Sequence, residues 1–203
     1  MRFFDRVPTG RDTPIPTSEY HAISGEALKP VYREGYATLV VGMGCFWGVE
    51  RLFWSVPGVL VTAAGYAGGE TPNPSYEEVC TGQTEHAEVV LIIYDTAEVS
   101  LESLLTIFWE NHDPTQLNRQ GNDRGTQYRS AIYTTDQRQL ETARYSAELF
   151  QQQLDQAGRG TITTEIKPLD TFYYAEAYHQ QYLHKNPGGY CGLKGTGVSC
   201  QLV

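Results

Sequence analysis

Ala37-Thr38-Leu39-Val40-Val41-Gly42-Met43, then Phe46 to Ser55, then Val59 to Tyr66, is the stretch whose reading decides the fold. The first piece is a short apolar run rich in β-branched residues, which predicts a strand. The second reads as a helix stopped by Pro57-Gly58, and the third as another strand. Strand, helix and strand in succession predict an α/β (α+β) layout rather than an all-α or all-β one.

Working outward, a Gly/Pro loop (Gly68-Gly69, Pro72, Pro74) leads to Ser75-Tyr76-Glu77-Glu78, where Ser and Glu three apart suit a capping box opening a short helix. His86 to Tyr94 alternates as a third strand. Leu101, Leu104, Leu105 and Phe108 recur at helical spacing behind Ser100 as N-cap, and Pro114 follows as a stop. Thr115 to Thr126 is polar and irregular, Tyr128 to Tyr133 reads as a strand, and Leu140, Ala143, Ala147, Phe150 and Leu154 line one face of a long helix closing near Gly158. A strand over Thr161 to Ile166 and a helix around Glu176 to Lys185 complete the pattern. No internal repeat is present. We therefore expect a single catalytic domain over 1–203, with an irregular Pro-bearing arm over 1–34 and a flexible, Gly-rich, Cys-bearing tail over 186–203.

The chain has 203 residues, 40% of them hydrophobic and 19% charged, enough to bury a substantial core and too apolar for a disordered chain. Its net charge of −9 repels phosphate backbones and anionic lipid head groups, which argues against nucleic-acid or membrane-surface partners. The longest uncharged run, Leu52 to Gly69, is broken by Pro57, Gly58, Gly65, Gly68 and Gly69 and cannot form a membrane helix. Met1-Arg2-Phe3-Phe4-Asp5-Arg6 lacks the apolar core of a secretion signal, so a reducing cytoplasm is the expected compartment. Cys45, Cys80, Cys191 and Cys200 lack the paired spacing of a zinc site and are too few for a disulfide scaffold. Redox or nucleophilic use and inert burial remain for them.

Cys45 sits in Gly42-Met43-Gly44-Cys45-Phe46-Trp47-Gly48, between a strand and the start of its helix, where unpaired N–H groups and the positive end of the helix dipole gather. That position predicts a lowered pKa, with Gly44 and Gly48 clearing space for a substrate; a buried, inert cysteine fits the same position. Phe46 and Trp47 suit either an apolar cup for a methyl group or core packing. Alternation places Glu88 on one strand face with Val90 and Ile92, so if that face is covered, desolvation raises its pKa and makes it a proton donor. The hydroxyls of Tyr76 and Tyr128 have the chemistry to donate to a developing oxyanion, although a chain with 14 tyrosines uses most of them for packing. No two histidines stand four apart, which removes a helical zinc motif, and ordinary hydrogen-bonded histidines are expected; no metal and no cofactor are called for. Cys191 and Cys200, nine positions apart in the Gly-rich tail, can serve as a thiol relay for an oxidised Cys45, and Cys80 reads as packing.

Gly44-Cys45-Phe46-Trp47-Gly48, Thr84-Glu85-His86-Ala87-Glu88 and Gly121-Asn122-Asp123-Arg124-Gly125-Thr126-Gln127-Tyr128-Arg129-Ser130, with His179-Gln180-Gln181-Tyr182-Leu183 and Lys185-Asn186-Pro187 further on, resemble the peptide methionine sulfoxide reductase A family. The likeness runs from about Val40 to Cys200. One departure is Glu85, where many members carry Gly. The resemblance implies a two-layer sandwich around a mixed sheet, related to the ferredoxin-like arrangement. It further implies Cys45 as nucleophile toward methionine (S)-sulfoxide, free or in oxidised proteins, Glu88 as proton donor, Tyr76 and Tyr128 on the oxygen, Phe46 and Trp47 around the methyl, and Asp123 in support. Cys191 and then Cys200 would carry the disulfide to thioredoxin, in an enzyme expected to act as a monomer. The residues by themselves leave two other readings open, a thiol peroxidase and a non-catalytic redox sensor.

Overall fold

The computed structural model describes residues 7–29, 31 and 34–202; the N-terminal reading over 1–6, Pro30 of the arm and the last residue of the tail lie outside the described residues. In chain order the elements are β1 (Tyr36–Met43), α1 (Phe46–Trp54), β2 (Val59–Ala67), α2 (Tyr76–Cys80), β3 (Ala87–Asp95), α3 (Leu101–Asn111), β4 (Arg119–Gln120), β5 (Asp123–Arg124), β6 (Ser130–Thr134), α4 (Gln137–Gln156), β7 (Glu165–Pro168), β8 (Phe172–Tyr174) and α5 (Tyr182–Lys185). Six strands form one sheet in the order β7-β6-β1-β3-β2-β8, and β4 pairs with β5 in a separate hairpin. The β6–β7 pair is parallel and the other pairs are antiparallel, so the expected mixed sheet is present.

Both faces of this sheet are covered, which is why its strands read as nearly continuous apolar runs. Leu39, Val41, Met43, Val90 and Ile92 face α1, α3 and α4, where they meet Phe46, Val49, Phe53, Leu104, Phe108 and Phe150. Val40, Val61, Ala63, Val89 and Leu91 point the other way and meet Leu28 of the N-terminal arm. The arm is irregular, as expected, but closely bonded: Tyr20 bridges Ala27, Leu28 N–H donates to the Glu19 carbonyl, and the Thr17 hydroxyl donates to the Ala175 carbonyl.

The helices begin where their caps place them. Ser75 and Glu78 form the complete capping box at α2, and the side chains of Ser100 and Asp136 accept from Ser103 N–H and Gln139 N–H at α3 and α4. The apolar stripe of α4 (Leu140, Ala143, Phe150, Leu154) is buried, and Trp109 of α3 stacks on Phe150 while its indole N–H donates to Ser146. Among the described residues, no helix is long and apolar enough to cross a membrane.

Four local expectations are corrected. The helix expected around Glu176 to Lys185 is confined to Tyr182–Lys185, because Gln180 spends its side-chain amide on Ala64 N–H and the Ala64 and Ala175 carbonyls, and Gln181 adopts a left-handed φ of 46°. β6 starts at Ser130 rather than at Tyr128, which closes a 3-10 turn over Thr126–Tyr128. β7 starts at Glu165 rather than Thr161, and β8, the next strand in the chain but on the opposite edge of the sheet, had no sequence signal strong enough to be read as a strand. The polar segment after Pro114 carries the small β4–β5 hairpin.

Leu28 is fully buried although it belongs to the arm. Leu28→Ala is expected to lower the stability of the whole chain by about 2–4 kcal/mol, read as a lower urea midpoint with an unchanged slope. An unchanged midpoint would mean that the arm is not part of the cooperative unit.

Candidate active site

β1 ends at Gly44, where a φ of +92° and a Gln120 side chain 2.6 Å from the position of any Cβ leave room only for glycine. The turn delivers Cys45 as the N-cap of α1, with Phe46 and Trp47 on the first helical turn. Glu88 rises from the start of β3 onto the same side, and the capping box of α2 presents Tyr76. The β4–β5 hairpin brings Asp123, and the 3-10 turn behind it brings Tyr128. Together with Tyr190 of the tail, these residues line one cavity of about 180 Å³. The structure therefore brings Cys45, Phe46 and Trp47 together with Tyr76, Glu88, Asp123 and Tyr128 from three other parts of the chain.

Glu88 is 2% exposed, and its Oε2 accepts the Phe46 N–H at 3.2 Å. Burial pushes its carboxyl up from an ordinary 4.5 to about 8, against the lowering effect of that N–H and with a small further rise from Asp123. It therefore carries a proton at neutral pH. Cys45 departs from the sequence expectation of a lowered pKa. Burial pushes its thiol well up, the Glu88 carboxylate pushes it further, and the bond from the Trp47 backbone offsets only part of the rise. Burial is the main reason, and the Phe46 N–H, one of the helix donors the sequence offers to a thiolate, is bonded to Glu88 instead. At rest the site holds two protons, one on sulfur and one on the carboxyl.

Burial likewise holds the phenols of Tyr76 and Tyr128 above their ordinary range, so both remain neutral hydroxyl donors. Tyr76 N–H is held by Glu176 Oε1 at 2.8 Å, and Glu176 Oε2 accepts from the Tyr66 hydroxyl. His86 secures the preceding loop by accepting Gly69 N–H at Nδ1, which leaves Nε2–H to donate to the Thr71 carbonyl.

The indole of Trp47 is fixed on two sides. Its N–H donates to His179 Nδ1 at 3.0 Å, and its ring stacks on Tyr182 with centroids 3.9 Å apart. His179 is completely buried, and burial drops its pKa to about 4, so it stays a neutral acceptor. Sequence reasoning placed His179 among ordinary hydrogen-bonded histidines and passed over Tyr182 and Tyr190. Tyr190, whose hydroxyl donates to Asp123 Oδ2 at 3.2 Å, carried one usable signal, its position directly before Cys191 in a tail otherwise poor in aromatics.

Of the tail cysteines, Cys191 lies over α1: its Sγ is 2.8 Å from where a Cβ on Gly48 would stand, three residues along the helix from Cys45. Cys200 is elsewhere. It is buried against α3, its N–H donates to Glu110 Oε1, and burial with the nearby Glu110 pushes its thiol up to about 11. Cys80, read as packing, is instead exposed at the end of α2, where it is hydrogen-bonded with the Tyr76 side chain. All four thiols are free, and no group of three or more His, Cys, Asp or Glu side chains among the described residues is placed to hold a metal ion.

Residues 37–201 match the family model of peptide methionine sulfoxide reductase. Over 198 residues, covering 98% of this chain and 90% of the relative, the chain is 63% identical to peptide methionine sulfoxide reductase MsrA of Rhodospirillum centenum. Among solved structures it is similar to methionine sulfoxide reductase A of Corynebacterium diphtheriae, with a TM-score of 0.86, 46% identity and 98% of each chain covered. Reduced Mxr1 of Saccharomyces cerevisiae superposes with a TM-score of 0.72 at 34% identity, covering 84% of this chain and 96% of the yeast one. The same yeast protein in complex with Trx2 shares the fold at a TM-score of 0.53 and 22% identity, over 82% and 94% of the two chains.

Because the folded pKa of Glu88 lies above its unfolded value, the native state keeps a proton that the unfolded chain has lost between about pH 4.5 and 8. Its burial therefore costs progressively more stability as pH rises through that window and a constant amount above it. Glu88→Gln keeps an oxygen for the Phe46 N–H and has no charge to bury. Its stability relative to the parent is expected to improve with pH by at most about 1.4 kcal/mol per pH unit, measured by urea unfolding across the window. A pH-independent difference would show that Glu88 is not protonated in the native state.

Proposed function

The chain belongs to the peptide methionine sulfoxide reductase A family, oxidoreductases that return methionine sulfoxide to methionine, and from that premise we propose that the cavity at Cys45 reduces the S epimer, free or within oxidised proteins, and so repairs them. The observation that carries the reading is the convergence of one thiol, one protonated carboxyl, two neutral phenols and two apolar rings on a single small cavity.

The methyl group packs on Phe46 and Trp47 while the Tyr76 and Tyr128 hydroxyls hold the sulfoxide oxygen. Glu88 gives its proton to that oxygen as the Cys45 sulfur attacks, and recovers a proton from the Cys45 thiol. The two raised pKa values are then an asset: neither group ionises alone, and the charge separates only when substrate oxygen is there to accept the proton. The net step transfers oxygen, turning thiol and sulfoxide into Cys45 sulfenic acid and methionine. Cys191, over Gly48, attacks the sulfenic acid to form the Cys45–Cys191 disulfide and release water. Cys200 then attacks Cys191, frees Cys45 and leaves Cys191–Cys200 for thioredoxin. The last transfer requires the tail to lift Cys200 off α3, breaking its bond to Glu110. The existence of a yeast Mxr1–Trx2 complex supports thioredoxin as the reductant.

A single turnover tests this. Fully reduced protein without external reductant is expected to release about one or two methionines per chain from the S epimer, with matching thiol loss. Cys45→Ser is expected to release none, and Cys200→Ser to retain one turnover but lose thioredoxin-driven cycling. The oxygen-transfer rate is expected to fall as pH rises past about 8, where Glu88 loses its proton. Glu88→Gln is expected to slow it by roughly 10²–10⁴-fold and to flatten that fall. Reduction by Cys45→Ser, or no methionine from the intact protein, would overturn the assignment.

A further inference from the structure

Glu50 lies one helical turn beyond Trp47 on α1, fully buried, and touches nothing in the cavity. Three donors converge on its carboxylate. Gln181 N–H donates to Oε2 at 2.7 Å, the Gln181 side-chain amide donates to Oε1 at 2.7 Å, and the Thr62 hydroxyl donates to Oε1 at 3.3 Å. The direction of each bond is settled by its neighbours. His21 Nδ1 accepts Ser24 N–H, so its Nε2 carries the proton and donates to Thr62 Oγ1 at 3.1 Å, which leaves the Thr62 proton for Glu50. The Gln181 Oε1 accepts Ala22 N–H at 3.0 Å. His21 and Ala22 are adjacent, so arm, β2, α1 and the 179–182 segment are joined in a closed circuit in which every donor meets an acceptor. The circuit's donors favour a carboxylate at its centre, against burial that pushes the Glu50 carboxyl up to about 7, and an amide there would turn a donor toward a donor.

What the circuit holds is the other half of the cup. Gln181, in its left-handed conformation, leads into Tyr182, whose ring stacks on Trp47, and follows His179, which accepts the Trp47 N–H. Trp47 and Glu50 stand three residues apart on one helix face. The indole is thereby bonded to the 179–182 segment, and that segment is bonded back to the helix bearing the indole. We propose that Glu50 is a positioning residue for the methyl-binding cup, setting the Trp47 plane through the Gln181–Tyr182 backbone and making the N-terminal arm part of the cup's frame. This rests on the reading that Trp47 receives the substrate methyl.

A double-mutant cycle tests it, with initial rates on free methionine (S)-sulfoxide and single-turnover rates at saturating substrate. Glu50→Gln is expected to raise KM about tenfold while the saturating rate changes less than about twofold, since the cup binds substrate and does not move protons. In a Tyr182→Leu background, where the ring transmitting the effect is absent, the same change is expected to add less than about twofold. An unchanged KM, or an equal rise in both backgrounds, overturns the proposal. Should Glu50→Gln fail to fold, Gln181→Ala, which removes only the side-chain amide, goes through the same cycle with an expected KM rise of about threefold. Trp47→Ala separates the two readings: if it leaves KM unchanged the cup itself is wrong, whereas a raised KM there with none for Glu50→Gln or Gln181→Ala overturns this inference alone.

Discussion

The interaction on which the site depends is the seal of α1's first turn over the carboxyl of Glu88, with the Phe46 N–H bonded to its oxygen. An acid buried this fully stays neutral at ordinary pH when no cation sits beside it, and among the described residues the cavity around it is lined by the Cys45 thiol, the Tyr76, Tyr128 and Tyr190 phenols, Asp123 and the rings of Phe46 and Trp47. The same closed turn buries Cys45, and burial, with Glu88 beside it, raises its thiol. Placement of α1 on the sheet, the turn at Gly44 and the covered face of β3 all serve this one contact. The core around it, from Leu39 to Phe108, supplies the rigidity that keeps the carboxyl dry.

Much of this frame was legible in the residues. β1, α1, β2 and β3 announced themselves through apolar runs bounded by glycine and proline, and the capping box at Ser75 located α2 to the residue. Alternation placed Glu88 on the face of Val90 and Ile92, but left open whether that face is covered. Where the reading failed, the cause was allocation of hydrogen bonds, which local pattern does not carry. A helix N-terminus at Cys45 signals available donors, but not that one of them is committed to a residue more than forty positions away. The 176–181 segment has helix-compatible composition, yet its glutamines bond across to β2 and α1 and leave turns in place of a helix. Tyr182 and His179 acquire meaning only from their contacts with Trp47.

Two kinds of polar anchor stand out. His86, Gln120 and the half-buried Glu176 each fasten one loop that delivers a side chain to the cavity, whereas the buried Glu50 fastens several elements at once. Glu85 has a left-handed φ of 59° on the exposed approach to β3. A side chain there costs about 1 kcal/mol relative to an unstrained conformation, and glycine escapes that strain.

Cys200 begins with its sulfur tucked against α3 and its pKa well above neutral. A thiol in that condition is a weak target for peroxide, which reacts with accessible thiolates. If Cys200 acts last in the proposed relay, this burial would shield it from irreversible overoxidation between turnovers. In that proposed scheme, an oxidant that spoiled Cys200 would leave Cys45 able to act once and then stranded, so packing the tail end into the core would preserve turnover capacity under the very stress that creates the substrate.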